Sequence, residues 1–250
     1  MSYSYDHDCP FEAFITNLGK YNEGELVGEW VKFPSTQEEL QNVFSRIGIG
    51  SQDVFGNTYE EWIITDYDCY VDGLYEKLGE YENLDELNYL ASKMDELNDY
   101  RYEKFQAALQ INDYTDSVQE LINLIDNLDK YDVYPNIEDH DDLGRYYIEE
   151  LDAMSVPEHL KNYIDYEAYG RDVALNEAGQ FTNYGYVRDT QDSFTEYYDG
   201  NPENIQKEYR VFQQSETLEE EIRYYDMSPA RFLISLDRGA ISYGWTDEVP

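Results

Sequence analysis

The chain has 250 residues and carries 55 Asp plus Glu against 17 Lys plus Arg, a formal net charge of −38. That imbalance excludes nucleic acid as a direct ligand, since two polyanions repel, and it calls for a basic partner. Because 41% of residues are apolar and 16% aromatic, the chain has enough apolar material for buried cores and reads as folded, not as an acidic disordered tail.

The 27 tyrosines explain how folding and high charge coexist. Each supplies ring area to bury and a hydroxyl that can stay wet, without adding positive charge. Self-repulsion favours an elongated string of small modules over one sphere. The expected class is therefore α+β, with three small domains (α+β, helical, α+β) followed by an extra C-terminal module. The divisions fall at residues 1–70, 71–128, 129–189 and 190–250.

The opening MSYSYDHDCP lacks the basic and apolar regions of a secretory signal, and no apolar run approaches the roughly 20 residues needed to span a bilayer. The only cysteines, Cys9 and Cys69, form no CxxC, so neither a disulfide framework nor a cysteine zinc site is expected. A cytoplasmic protein with no membrane association fits these features.

In chain order, FITNL, a turn at Asn22-Glu23-Gly24 and LVGEWVKF predict two strands. Thr36 and Glu39 make a capping box ahead of Leu40, Val43, Phe44 and Ile47, which predicts a helix, and EWIIT at 61–65 predicts a third strand. From about 74 to 128 the period becomes helical. One stripe runs through Leu84, Leu87, Leu90, Ala91, Met94 and Leu97, and another through Val118, Leu121, Ile122, Ile125 and Leu128. Glu82 with Glu86, and Asp95 with Asp99, read as outward i,i+4 acidic pairs, each costing the helix a few tenths of a kcal/mol. KYDVYPNI then reads as extended up to Pro135 and DDLGRYYIEELDAM as a helix. VPEHLKNYIDYEAYGRDV reads as a second helix opening near Pro157, and QFTNYGYV as a closing strand. Beyond 190, Thr217 with Glu220 and Ser228-Pro229 predict two further helices.

Carboxylates are too common for a pair to identify a catalytic acid and base. His7, His140 and His159 are isolated, and no GxSxG places a nucleophile. Gly48-Ile49-Gly50 lacks the third glycine and the lysine of a phosphate loop. No enzyme and no cofactor is expected. Calcium is the rival chemistry: with Asp139 as position 1 of an EF-hand loop, Asp141, Gly144 and Glu150 fall at 3, 6 and 12, but Leu143 occupies ligand position 5. No metal site is therefore assigned, and an acidic calcium-binding protein is kept as an alternative.

The net charge of −38, at one charge per roughly 1.7 Å of duplex axis, matches about 65 Å or about 19 base pairs of B-DNA. Fixed carboxylates at similar spacing could exchange a partner's counterions as phosphates do, without base readout. Charge alone weighs this equally with a merely soluble acidic protein.

Four collinear segments move that balance: NLGKYNEGELVGEWVKFP at 17–34, ITDYD at 64–68, DDLGRYYIEEL at 141–151 and VPEHLKNYIDYEAYGRDV at 156–173. Together they resemble the ArdA family of antirestriction proteins over about residues 12–188. The resemblance implies the product of a mobile element, acting in a bacterial host. Such a protein mimics bent B-DNA and occupies the basic DNA-binding groove of a type I restriction–modification enzyme. It also implies a homodimer formed through the third domain. Carried onto this chain, the partner-binding acids are Asp139, Asp141, Asp142, Glu149, Glu150, Asp165, Glu167 and Asp172, with Glu82, Glu86, Asp95 and Asp99 added from the helical segment. Arg145 and Arg171 are expected to pair internally, and Tyr163, Tyr166 and Tyr169 to form a packed or dimer-facing stripe. The segment 191–250, with 13 acidic and 5 basic residues, has no counterpart in the family pattern. Its presence leaves open another defence system, such as a CRISPR effector, as target.

Overall fold

Alternating apolar residues put every second side chain of a strand on one face, and Phe11, Ala13 and Ile15 are all fully buried in β1 (Phe11–Asn17). The structure is a computed structural model that describes residues 8–212. β1 is the middle strand of an antiparallel sheet ordered β2-β1-β3, with β2 (Gly28–Phe33) and β3 (Trp62–Cys69) on its two sides. Phe11 lies opposite Phe33 in register and their rings stack at 5.4 Å. Between β1 and β2 the chain makes a one-turn helix, α1 (Leu18–Asn22), which the strand pattern did not foreshadow. Buried Asn17 starts it by accepting from the Lys20 amide, and its Nδ2 donates to the Ile47 carbonyl at 3.1 Å.

α2 (Gln37–Ile47) begins at the expected capping box: Thr36 Oγ1 accepts from the Glu39 amide, and Glu39 reaches back to the Thr36 amide. Leu40, Val43 and Ile47 are buried, while Phe44 packs at the margin against Trp62, ring centres 5.0 Å apart. Gly48 ends the helix at φ 81°.

The helical segment contains α3 (Leu84–Asp95), α4 (Asp99–Ile111) and α5 (Val118–Asp126). Asn83, Asn98 and Ser117 cap their N-termini. The two expected stripes are the buried faces of α3 and α5, except that Leu97 lies past the end of α3 and is only half-buried, and Leu128 is buried in the 3-10 turn that follows α5. α4 carried no such stripe because Lys104, Phe105, Gln106, Ala107, Ala108 and Leu109 are all buried. A helix enclosed on most of its circumference has no one-sided periodicity.

A second antiparallel sheet, ordered β4-β6-β5, contains β4 (Tyr131–Tyr134), β5 (Gln180–Thr182) and β6 (Gly185–Asp189). The single closing strand expected at 180–187 is a hairpin, turned at Asn183-Tyr184. Gly185 sits there at φ 103°, where a Cβ would stand 2.2 Å from the Tyr134 carbonyl oxygen. α6 (His140–Arg145) runs on into a π-helical turn at Tyr146–Glu150. The helix expected to open near Pro157 is divided. Glu158–Tyr163 forms 3-10 turns, Ile164 is extended, and Asp165 caps a separate α7 (Tyr166–Glu177).

α6 and α7 cross at backbone contact. A Cβ on Gly144 would lie 2.0 Å from the Tyr166 carbonyl oxygen, and one on Gly170 would lie 1.9 Å from that of His140. The two glycines therefore allow an approach that any side chain would block. Leu143, Ala174, Ile137 and Tyr186 form the core beneath the crossing.

Residues 195–211 are laced onto α3 and α5 by buried polar side chains. Asn123 Oδ1 accepts from the amides of Tyr197 and Tyr198, both at 2.8 Å, and its Nδ2 donates to the Tyr198 carbonyl. Asn127 makes the same reciprocal pair with Thr195. Asn88 donates to the Tyr209 carbonyl and Asp85 accepts from the Val211 amide. Through Val211 the described residues form one compact unit. The helices predicted from Thr217 and Ser228 lie outside the described residues. Among the described residues no helix is long and apolar enough to cross a membrane.

Candidate acidic interaction surface

Positive charge among the described residues is spent largely on internal partners. Lys32, Arg46, Lys93, Arg101, Lys130, Arg145, Lys161 and Arg188 each pair with a carboxylate. Arg188 is held most fully: it contacts Asp132 at 3.0 Å and Glu177 at 3.0 Å, and lies over the Tyr134 ring. Lys104 is buried beside the Tyr100 ring, and burial holds its pKa below the usual lysine value. Lys77 donates to Asn112, and Arg210 to the Ile205 carbonyl. Few of the described cations remain to offset the carboxylates facing solvent.

Tyrosine supplies the donors that cations do not. Hydroxyls of Tyr59, Tyr70, Tyr198 and Tyr209 donate to Glu23, Asp68, Glu86 and Glu96 at 2.8, 3.1, 2.8 and 3.3 Å. Those of Tyr75 and Tyr184 reach Asp66 and Asp72 at 3.4 and 3.3 Å, and Tyr147 and Tyr166 make close bonds to Glu177 and Glu149. A neutral donor fixes a carboxylate's direction and leaves its charge in place, which an arginine would not. The hydroxyls of Tyr59 and Tyr70 are held protonated. The Glu23 bond pushes Tyr59 up to about 12, and burial followed by the Asp68 bond takes Tyr70 to about 12. The abundance of tyrosine was visible in the composition. These pairings were not, since most join residues far apart in the chain.

The acids expected on the helical segment are arranged differently from the expectation. Glu82 precedes the Asn83 cap and accepts from the Gly79 amide at 3.0 Å, so it is not on α3. Glu86 does not face outward: it is half-buried under Tyr198, and burial raises its pKa despite the opposing effect of the Tyr198 hydroxyl. Asp95 closes α3 and Asp99 opens α4, so they do not share a helix face. Both i,i+4 pairs fail because Asn83 and Asn98 start helices between their members. Glu86 and Asp99 then sit in first turns, where the helix N-terminus favours negative charge.

Of the acids expected around α6 and α7, Asp141 and Glu149 line one depression, and Asp139 and Asp165 act as helix caps. Asp139 caps α6 by accepting from the Asp142 amide at 2.9 Å, and the Asp142 carboxylate accepts from the Glu138 amide at 3.2 Å. Asp165 caps α7 by accepting from the Ala168 amide at 3.0 Å. Asp141, Arg145, Glu149 and Tyr166 line one depression with Glu158 and Lys161, whereas Glu82, Glu86, Asp95 and Asp99 have no part in its lining. Glu150, Glu167 and Asp172 are exposed. Arg145 pairs internally as expected, with Asp141 at 2.6 Å and over the Tyr166 ring at 4.3 Å. Arg171 does not: it is exposed and makes no ion pair among the described residues.

The tyrosine stripe is not formed, because the break at Ile164 separates Tyr163, 84% exposed, from buried Tyr166. Missed was the packing role of Gly144 and Gly170, which bring α6 and α7 together. Both stand inside segments quoted above, and a glycine within a helical pattern was the readable signal. The EF-hand reading fails geometrically. Residues 140–150 are helical and Leu143 is fully buried, so the chain there cannot wrap an ion. Among the described residues no cluster of three or more His, Cys, Asp or Glu is placed to hold a metal.

The family model for antirestriction protein (ArdA) matches residues 13–188. No curated protein matches the chain.

Proposed function

The chain belongs to the ArdA family of antirestriction proteins, and we propose that it inhibits a type I restriction–modification enzyme by presenting carboxylates where the enzyme expects DNA phosphates. The family is one of inhibitors that act on restriction–modification enzymes, not of catalysts. The finer reading, DNA mimicry against a type I enzyme, is supported above all by how the charge is handled. Eight of the described Lys and Arg are paired with carboxylates of the chain itself, while neutral tyrosine hydroxyls orient carboxylates such as Glu23, Asp68 and Glu149.

A basic groove evolved for DNA gains affinity by exchanging small ions for fixed anions. Carboxylates already held in direction offer that exchange at little ordering cost. The acids on α6 and α7, namely Asp139, Asp141, Asp142, Glu149, Glu150, Asp165, Glu167 and Asp172, are assigned to this surface. Glu82, Asp95 and Asp99 extend it on the helical segment, with Glu86 in a supporting position under Tyr198. The proposal includes a homodimer, action in the bacterial cytoplasm, and the division into three modules with a C-terminal extension.

The test is competition. The purified protein should bind a type I restriction–modification enzyme and be displaced by duplex DNA. If it uses six to ten phosphate-like contacts, affinity should fall by about 10³-fold or more between 50 and 200 mM salt. Simultaneous binding of DNA and inhibitor to the same enzyme would refute it.

A further inference from the structure

The segment between α2 and β3 exposes two large apolar side chains side by side. Val54 is 93% exposed and Phe55 86% exposed, the two highest values among the large apolar residues described. The loop that carries them is internally braced. The Asp53 carboxylate accepts from the amides of Phe55 and Asn57 and from Asn57 Nδ2, each at 2.8 Å. The Asp53 amide donates to the Asn57 carbonyl at 2.9 Å, Gly56 turns the chain at φ 88°, and Gln52 bridges Thr58. None of this bracing uses the side chains of Val54 or Phe55, so their exposure does nothing for the fold.

The surroundings of this tip are anionic. Glu23, Glu25 and Asp53 all lie close enough to the Tyr59 hydroxyl at the loop's base to hold its proton on. Glu60 and Glu61 follow directly and are exposed. From Ile47 to Glu76 the chain contains no Lys or Arg, and the neighbouring Lys20 lies over the Tyr59 ring. An apolar tip in an acidic setting is complementary to an apolar recess rimmed by Lys and Arg. Aromatic anchors of this kind, set into pockets on the partner, carry much of the energy of protein–protein interfaces, and charge around them steers the approach.

We propose that Val54 and Phe55 form an apolar anchor that inserts into a basic-rimmed apolar recess on the protein captured by the acidic surface. The inference rests on the DNA-mimic reading and adds to it. DNA has no such projection, so part of the affinity comes from contacts the enzyme does not make with its substrate, and that part is insensitive to salt.

The test uses the full chain carrying Val54→Ser with Phe55→Ser, bound to a purified type I restriction–modification enzyme at 50 and 200 mM salt. Circular dichroism should match wild type, because the loop's hydrogen bonds are untouched. Binding should weaken about 10-fold or more at both salts, with the salt slope unchanged. A variant that binds as tightly as wild type overturns the anchor while leaving mimicry standing. So does a result in which the two side chains mediate only self-association, seen by sedimentation, with enzyme binding unaltered. Wild-type binding that is absent or indifferent to salt sinks the mimic reading, and the anchor with it.

Discussion

Replacing Gly170 by alanine should destabilise the protein by about 1–2 kcal/mol. The added Cβ would stand 1.9 Å from the His140 carbonyl oxygen and 2.7 Å from the Gly144 nitrogen. Both are backbone atoms of α6, so no side chain can swing aside and the helices must separate. Overpacking costs typically about 1–3 kcal/mol, and separation also loosens the contacts of Leu143 and Ala174 beneath the crossing. Against this, alanine is favoured over glycine in a helix by about 1 kcal/mol. Urea titration followed by circular dichroism measures the balance, provided the slope m is unchanged. Gly144→Ala, whose Cβ would meet the Tyr166 carbonyl oxygen at 2.0 Å, should behave alike. Because each variant opens the same crossing, the double variant should cost less than the two single costs together. A Gly170→Ala protein as stable as wild type would refute the backbone-contact account of α6 and α7.

Asn123→Ala leaves the amides of Tyr197 and Tyr198 without acceptors. It should therefore cost about 2 kcal/mol or more and speed hydrogen exchange at those amides; unchanged exchange would contradict the lacing of 195–198 onto α5. Glu86→Gln should be at least as stable as wild type at pH 7, since Gln still accepts from Tyr198 and carries no charge to desolvate. The sign follows from burial raising the folded pKa of Glu86 above its unfolded value of about 4.3. Ionisation then opposes folding at pH 7, protonation removes that penalty as pH falls, and the gap to Gln should close in acid. A gap that widens in acid would show the opposite shift. Burial pushes Cys9 up to about 11 and Cys69 up to about 12, so neither should react appreciably with a thiol reagent in the native protein at pH 7.5, and rapid labelling would refute the burial.

Local rules carried the sequence reading where local physics decides. The Thr36–Glu39 capping box, the strand at FITNL and the stripes of α3 and α5 were legible because each is set by residues a few positions apart. α4 was not, because burial around Lys104–Leu109 removes the one-sided pattern that marks a helix. The β5–β6 hairpin was hidden because its turn at Asn183-Tyr184 lacks an Asn-Gly pair and β5 has only 3 residues. The break at Ile164 had no Gly or Pro to announce it. Around the site, charge and the acids of α6 and α7 could be read, but their disposition could not. The caps at Asn83 and Asn98 undid both i,i+4 pairs, although an Asn three residues ahead of Glu86 was a readable start signal. The tyrosine–carboxylate bonds and the lacing by Asn88, Asn123 and Asn127 join residues up to 121 positions apart, beyond any local pattern.

The most direct test of the central claim is the affinity of the protein for a purified type I restriction–modification enzyme, measured across salt with and without competing duplex DNA. The account predicts a steep fall in affinity with salt, a linear log–log slope and mutually exclusive binding with DNA. Affinity that holds constant across salt, or a ternary complex with DNA still bound, would contradict it.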